Sequence, residues 1–488
     1  MARSALFTDK ASMVLPDEAT NALLLIPATK AMLQFVDHCN RVTTVLILLL
    51  YPGRQSTNVF SSLHTYVHPE KAGSANNASS GLRAATRRPS SDSGSQLDGH
   101  HYLSSIPNGE LKKRNKSKVK FEFDENNAQI FRLKLEEGHL QTRLFFNEYR
   151  NSFVFSFLGI SCLCLSKCLG ESEPGSGVLI NGNLIPVIFG FIGLTKAFLA
   201  LAKISFENSA SKRSEKQFSA IFGVLGFLVG IMICSGIGPS VFDFHFDSVE
   251  GSWRILLAVL MGFLASFLYM PAGKNARSFW LGTDQLRWNL SIISCGWFAR
   301  TILYANYMLT LFTALHWINP LAEILVNKNS YNGGVADKLV GNVGFSKLDF
   351  TKLRILCLLL AGVLQVVALR SNLQMFLNEA VLSWYQRLHA SKVSDLDFSR
   401  AKIFLQNHYL CLAVLQFFAP PVLVLVFLGL SQVDTNSFDK YNLVYGSLTC
   451  SAFIKEASLF MAWWIIFVWV VITSASLVFY RHATLYIF

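Results

Sequence analysis

One lysine stands in the middle of an otherwise apolar stretch of this 488-residue chain. Lys196 lies within VIFGFIGLTKAFLALAK, where an ammonium group is costly unless it snorkels, pairs with another group or meets water. Lys203 follows on the same helical face but near the end of the run, where ordinary snorkelling suffices. Lys196 is therefore the residue for which the sequence most clearly demands a partner.

A second apolar stretch carries polar groups at helical spacing. In a membrane such a stripe must face protein or water rather than lipid, and its members are Asn306, Thr310, Thr313, His316, Pro320 and Glu323. We therefore predict an intramembrane polar seam of Lys196, His316 and Glu323, which would carry or gate an ion or a proton. The alternative is a structural pair that fixes helix order, with Asn319-Pro320 merely bending the helix end.

Other chemistry has little support in the sequence. We find no GxSxG, HExxH or GxxxxGK[ST] motif, and no GxGxxG follows a predicted strand. Asp243, His245 and Asp247 alternate in a short loop, but three potential ligands this close together are common in hydrophilic loops. The nine cysteines fall mostly in apolar runs and resemble small apolar residues more than a disulfide framework. We predict no enzyme, with no catalytic residue, cofactor or metal site.

The composition places the chain in a lipid bilayer. Only 15% of its residues are charged and 52% are hydrophobic, whereas a soluble domain is about a quarter charged. Leu353 to Leu369 forms a span flanked by Arg354 and Arg370, with Gln365 as its interior break, and an amphipathic helix along the membrane interface should follow it. We predict an all-α polytopic transmembrane bundle of about eight spans, at 152–169, 185–205, 218–238, 254–271, 301–325, 353–370, 403–430 and 457–480.

Two further patterns describe how the spans are arranged. Lysine and arginine are more frequent in the loops after the second, fourth and sixth spans, which predicts that these loops and the basic N-terminal segment are cytoplasmic. Within the third span, Gly226 and Gly230 have GxxxG spacing, and Gly223 lies a turn earlier. Such glycines let another helix approach closely, so we predict a packing role for all three.

The N-terminal part of the chain differs from the bundle, which we place at 151–488. Residues 1–51 hold two apolar runs separated by charges, and they are either an interfacial anchor or a span. Residues 52–120 are rich in Ser, Asn, Gly and Arg, so we predict a disordered cytoplasmic segment. Its Lys112–Lys120 cluster suits anionic lipid headgroups, or is a solvated charge run. Residues 121–150 alternate apolar and polar side chains, which predicts a short hairpin before the membrane.

Several short motifs resemble one family of membrane proteins. Tyr409-Leu410-Cys411, Leu415-Gln416 and Ala419-Pro420, with Leu373-Gln374 and the SLFMAWWI run at 458–465, are similar to the transmembrane protein 161 family. The resemblance covers about residue 145 to the C-terminus, and the serine-rich insert before it suggests a plant-type branch. Animal members are linked to modulation of cation currents and to protection from oxidative stress. The resemblance implies a non-enzymatic, eight-span membrane protein and supplies no site residues.

We therefore predict a multi-pass integral membrane protein that modulates or conducts ion movement. Its partners would be the lipid bilayer, anionic headgroups at Lys112–Lys120, and another membrane protein or a second copy. The excess positive charge, +12 in all, lies mostly beside membrane spans, so we do not expect nucleic acid to bind. The alternative is a structural or scaffold protein whose basic disordered segment docks a partner or anionic lipid.

Overall fold

The computed structural model describes residues 56–57, 59–60, 63–67, 83–84, 130–169, 184–207, 213–235, 242, 244, 251–284, 295–325, 347–389, 396–433 and 449–482. Its strands are β1 (His64–Val67), β2 (Arg83–Ala84) and β3 (Phe131–Lys134). Its helices are α1 (Glu137–Gln141), α2 (Phe146–Leu169), α3 (Leu184–Phe206), α4 (Arg213–Cys234), α5 (Gly251–Thr283), α6 (Trp297–Leu315), α7 (Asn319–Leu325), α8 (Lys347–His389), α9 (Leu396–His408), α10 (Leu410–Ser431) and α11 (Thr449–Arg481).

The fold is the all-α polytopic bundle that the sequence predicts, and the number of spans is close to the prediction. Six helices in the described ranges are long and apolar enough to cross a bilayer, namely α3, α4, α5, α8, α10 and α11. The other two predicted spans correspond to α2 and α6, whose apolar runs are interrupted by polar residues. Both nevertheless pack within the bundle, α2 against α3 and α10, and α6 against α8 and α11.

Helix α10 is the centre of the bundle. It packs against α2, α3, α5, α8, α9 and α11, and 94% of its apolar window is buried inside the protein. A helix that is surrounded on all sides can be apolar all round, which is what its sequence shows. Gln416 is its one amide side chain, and Pro420 and Pro421 are tolerated because neighbouring helices surround this span.

Glycines allow α4 to approach α5 closely. A Cβ atom added at Gly226 would lie 2.5 Å from the Cβ of Ala265, and one added at Gly230 would lie 3.0 Å from the Cα of Ala258. A Cβ at Gly223 would lie 3.0 Å from the Cβ of Ser266. The three glycines for which the sequence predicts a packing role therefore all line this contact.

Helix α8 is longer than a membrane is thick. Its 43 residues span about 65 Å, against about 30 Å for the hydrocarbon layer. Its second half is the predicted amphipathic helix, but the polar residues there, including Asn372, Asn378 and Glu379, are buried by protein. Strand β1 and helices α5 and α9 pack against α8. The predicted half-wet interfacial helix is therefore a protein-covered extension of the span.

Strand β1 lies inside the segment that the sequence predicts to be disordered. It pairs antiparallel with β3, from His64 opposite Lys134 to Val67 opposite Phe131, and β2 pairs with the other side of β3. The prediction of disorder over 52–120 does not hold here, since Phe60, Leu63 and Tyr66 are buried. The composition averaged over residues 52–120 does not reveal this short apolar stretch. The first half of the predicted hairpin lies outside the described residues, and β3 takes β1 as its partner.

Amide side chains hold β1 against α8 and α9. The His64 amide nitrogen donates to Gln374 Oε1 at 3.0 Å, and Gln374 Nε2 donates back to the His64 carbonyl at 3.2 Å. Asn407 Nδ2 donates to the Tyr66 carbonyl at 2.8 Å, and Tyr66 Oη donates to Asn378 Oδ1 at 3.0 Å. Burial, with Arg132 and Lys134 nearby, lowers the pKa of His64. Side chains thus satisfy a strand edge that would otherwise be open.

Shortening the chain between β2 and β3 should leave the fold intact. Because Ala84 and Phe131 are cross-strand partners, the chain between them leaves and returns at one place. We expect replacement of residues 86–128 by a short Gly-Ser linker to keep the apparent melting temperature within about 2 °C. Deleting residues 56–67 should instead cost at least about 3 kcal/mol, since it removes the buried Phe60 and Tyr66.

Size-exclusion chromatography of the detergent-extracted protein after a series of heating steps measures both variants. An equal loss of stability in the two variants would contradict this account, because β1 would then be no more important to the fold than the chain that follows it.

Candidate functional site in the bundle interior

The polar stripe on α6 faces protein. Asn306, Thr310, Thr313 and His316 are all buried, as expected for polar side chains on a membrane span. Thr313 Oγ1 lies 3.3 Å from the Cys357 carbonyl oxygen of α8, to which it donates. The Tyr307 and Ser474 hydroxyl oxygens, on α6 and α11, are 3.0 Å apart. Helices α8 and α11 therefore cover the stripe.

The buried cation at the end of this stripe is Arg354 of α8. Its Nε donates to the His316 carbonyl at 3.0 Å, and its guanidinium carbon lies 4.7 Å from the Trp317 ring centre and 4.4 Å from that of Phe350. The side chain is therefore held by a carbonyl and two ring faces and does not snorkel. His316 Nδ1 donates to the Phe312 carbonyl at 2.6 Å, which leaves Nε2 as the free ring nitrogen among the described residues.

Lys196 lies on a different part of the bundle. Its side chain is exposed, and its Nζ is 5.4 Å from the ring centre of Phe155 on α2. Helix α3 packs against α2, α5 and α10, whereas α6, which leads to His316, packs against α5, α8 and α11. In the described ranges no hydrogen bond or ion pair joins Lys196 to His316, and the side chain of Glu323 lies outside them.

The structure therefore does not bring Lys196 and His316 together as the predicted seam requires. The sequence shows that Lys196 and His316 each need a partner, because a polar group is costly in an apolar run. Which helices become neighbours depends on packing across the whole bundle, and helical periodicity carries no such information.

Three other polar side chains, on three different helices, lie at nearly the same depth. Because Thr313 contacts Cys357 and His316 contacts Arg354, α6 and α8 are antiparallel. At about 1.5 Å per residue, this register places Asn306 of α6 and Gln365 of α8 at nearly the same depth. The contact between Tyr307 and Ser474 brings Thr473 of α11 to that depth as well.

Gln416 of α10 lies further along the bundle. Gly362 of α8 packs against Leu425 of α10, and from this antiparallel register Gln416 lies about two turns from Gln365. It lies toward the end of the bundle that contains the C-termini of α3, α5, α8 and α11. We call this end of the bundle the basic end. We call Asn306, Gln365, Gln416 and Thr473 the interior polar set.

The interior polar set is buried, and most of its polar atoms have no hydrogen-bond partner among the described residues. Gln416 is 0% exposed and Gln365 is 5% exposed, yet both atoms of each amide are unpartnered within the described residues. The same is true of Asn306 Oδ1 and Thr473 Oγ1. An unmet buried polar group costs about 1–3 kcal/mol. Stability alone would favour leucine or valine at these positions, so their polarity requires another explanation.

The four helices that carry the set form a closed ring. Helix α6 packs on α8, α8 on α10, α10 on α11, and α11 on α6. Each helix contributes one member, so every helix of the ring carries one uncharged polar side chain of the set. Such groups can hold water molecules, or can replace the hydration shell of a small ion.

Sequence reasoning identified part of this set. Asn306 belongs to the predicted stripe, and Gln365 stands out as the single break in its span. Gln416 appears in the sequence as part of a family motif, and Thr473 escapes notice because threonine is common in membrane helices. The sequence feature that could identify such residues is an isolated polar residue within an apolar run. Asp243, His245 and Asp247 lie outside the described residues, so the absence of a metal site there stays a prediction.

At the basic end, one carboxylate ties several helices together. Glu379 Oε1 of α8 lies 3.3 Å from Arg277 Nη1 of α5 and 3.7 Å from Lys402 Nζ of α9. Arg277 Nε also donates to Tyr480 Oη of α11 at 3.3 Å. These contacts join the ends of α5, α8 and α11 close to the docked strand β1.

Comparison with known proteins agrees with the fold and the motifs. No solved structure matches this chain. Residues 240–442 match the family model described as predicted transmembrane protein 161AB, a range that contains helices α5 to α10. Asn306, Gln365 and Gln416 all lie within it. This part of the chain is therefore similar to the transmembrane protein 161 family, and together with the apolar helices the match indicates a multi-pass membrane protein.

Proposed function

We propose that this protein lets a small monovalent cation cross the bilayer in a gated manner, along the axis of the α6, α8, α10 and α11 ring. The observation that supports the proposal is the interior polar set, whose buried oxygen and nitrogen atoms lack partners in the described residues. On this proposal the protein moves an ion and has no enzymatic activity.

The chemistry of the set favours a monovalent ion. Its oxygens are amide carbonyls and a hydroxyl, which can replace a hydration shell without the strong attraction of a carboxylate. Divalent cations in proteins usually require one or more carboxylates. The set contains none, so it suits sodium or potassium better than calcium or magnesium.

The proposed path requires a gate. Arg354 lies at the end of the ring opposite the basic end, packed between Trp317 and Phe350. The buried guanidinium and its aromatic neighbours fill this end of the ring and exclude water. An ion could pass this end only if Arg354 or its neighbours moved, so the proposal predicts regulated rather than constant flux.

Flux into liposomes tests the proposal directly. The purified full-length protein would be reconstituted into phosphatidylcholine vesicles, and potassium, sodium, proton and chloride flux would be followed with ion-sensitive dyes. We expect a monovalent cation flux above that of protein-free vesicles, selective over chloride. Flux equal to that of empty vesicles for every ion, at several membrane voltages, would overturn the proposal.

A second candidate, a scaffold role, is supported by the clamp on β1. Because β1 pairs with β3 and docks on α8 and α9, both ends of the intervening basic segment are held at the basic end. A segment anchored in this way is suited to docking anionic lipid or a partner protein. Replacing residues 86–128 by a short linker separates the two roles, since cation flux should survive it and docking should not.

A further inference from the structure

Lys196 places a positive charge on the outer wall of the bundle. It lies near the middle of the span Val187–Phe206, and its side chain is exposed. The structure gives it one ring contact, with Nζ 5.4 Å from the ring centre of Phe155. Apart from Lys203 at the membrane surface, the large side chains described as exposed on the same helix are apolar, namely Ile188, Phe191, Leu199 and Phe206. This ammonium group thus faces the region that lipid chains occupy.

Lys196 does not snorkel to the nearer membrane surface. That surface is marked by Lys203, whose Nζ forms an exposed ion pair with Glu148 Oε1 at 2.8 Å. Lys196 lies about 10 Å deeper, seven residues earlier in α3. Helical side chains lean toward the N-terminus of their helix, and α3 begins at the opposite surface.

The contact with Phe155 keeps the ammonium at this depth. A Cβ atom added at Gly193 would lie 3.2 Å from the Phe155 carbonyl oxygen, so Phe155 lies within about one turn of Lys196 along α3. Because the Phe155 side chain leans toward the start of α2, its ring lies close to the level of Lys196, and the ammonium over that ring remains well below Lys203.

The exposed charge is costly, and the ring contact offsets only part of the cost. A lysine at the centre of a membrane helix costs about 2.5–3.5 kcal/mol on insertion scales. A cation–π contact contributes about 0.5–2 kcal/mol. A carboxylate from a neighbouring helix would neutralise the charge and accept its hydrogen bonds.

We propose that the face of α2 and α3 around Lys196 binds a transmembrane helix of another protein, which carries an aspartate or glutamate at the depth of Lys196. The apolar side chains around Lys196 would pack against that helix, and the charge pair would set its depth and orientation. The interior polar set lies on α6, α8, α10 and α11, none of which carries Lys196 or Phe155, so this interface does not depend on the proposed ion path.

Among the residues that the structure describes, a second copy of this chain does not offer the required group. Among the described residues, the exposed carboxylates of the long helices lie near helix starts, as at Glu148, Asp349 and Glu456. Such positions are near a membrane surface, whereas Lys196 is in the middle of its span. A different membrane protein therefore fits the charge better.

Designed transmembrane peptides test this inference without a known partner. The full-length protein and leucine-alanine peptides with a central Glu, Gln or Leu would share phosphatidylcholine vesicles, and association would be measured by energy transfer between fluorescent labels. We expect the Glu peptide to bind about tenfold more tightly than the Leu peptide. Lys196→Met should remove this preference.

Lys203→Met is the matched control, because it removes a cation from the same helix at the membrane surface. It should retain the preference for the Glu peptide. The inference is overturned if the three peptides bind alike, if Lys196→Met retains the preference, or if self-association of the protein displaces the Glu peptide. Flux is measured without any peptide, so failure of this test is distinguishable from failure of the proposed function.

Discussion

Replacing Gln416 by leucine is expected to stabilise the protein and to reduce its cation flux at least tenfold. The amide of Gln416 is fully buried and unpartnered in the described residues, so leucine removes an unmet cost of about 1–3 kcal/mol at similar volume. The same change removes a polar group from the proposed ion path. Gln365→Leu should also raise the stability of the protein and lower its cation flux. A gain in stability would be distinctive, because most single substitutions do not raise stability.

Gln374→Leu provides the control for the two interior glutamines. Gln374 is also an amide on α8, but its Nε2 donates to the His64 carbonyl and to Asn378 Oδ1. Its replacement should therefore lower stability and leave the flux per folded protein unchanged. Melting temperature in detergent and flux in liposomes measure both effects. If Gln416→Leu lowers stability and leaves flux unchanged, the interior polar set is not an ion path.

Gly226→Ala is expected to destabilise the protein by about 2 kcal/mol, the usual cost of overpacking a tight contact. The added Cβ would lie 2.5 Å from the Cβ of Ala265, so α4 and α5 must move apart. The loss should exceed the gain of up to about 1 kcal/mol that alanine brings to a helix interior. Heating of the detergent-extracted protein followed by size-exclusion chromatography measures the change.

Two further variants show whether the contact itself is responsible. Gly273→Ala makes the same chemical change in α5 at a position with no atom within 4 Å of the added Cβ. It should be neutral or stabilising. Ala265→Gly, combined with Gly226→Ala, should restore part of the lost stability because it removes the opposing Cβ. A Gly226→Ala variant as stable as the parent would show that α4 does not depend on this close approach.

The amino-acid sequence by itself determined the features that depend on local composition and periodicity. Long apolar runs are stable only in hydrocarbon, so they indicate a membrane protein and the approximate position of its helices. The stripe through Asn306 and Thr313 shows which face of α6 must meet protein. Gly226 and Gly230 likewise mark the face of α4 that another helix can approach. Each conclusion uses residues within a few turns of one another.

The tertiary structure alone decided which distant residues meet. Arg354, rather than Lys196, lies at the end of the α6 stripe, because α6 packs on α8 and not on α3. Strand β1 is ordered because Gln374 and Asn407, more than three hundred residues away, satisfy its backbone. Partner choice of this kind depends on the packing of all the helices at once, and no local pattern in the chain contains that information.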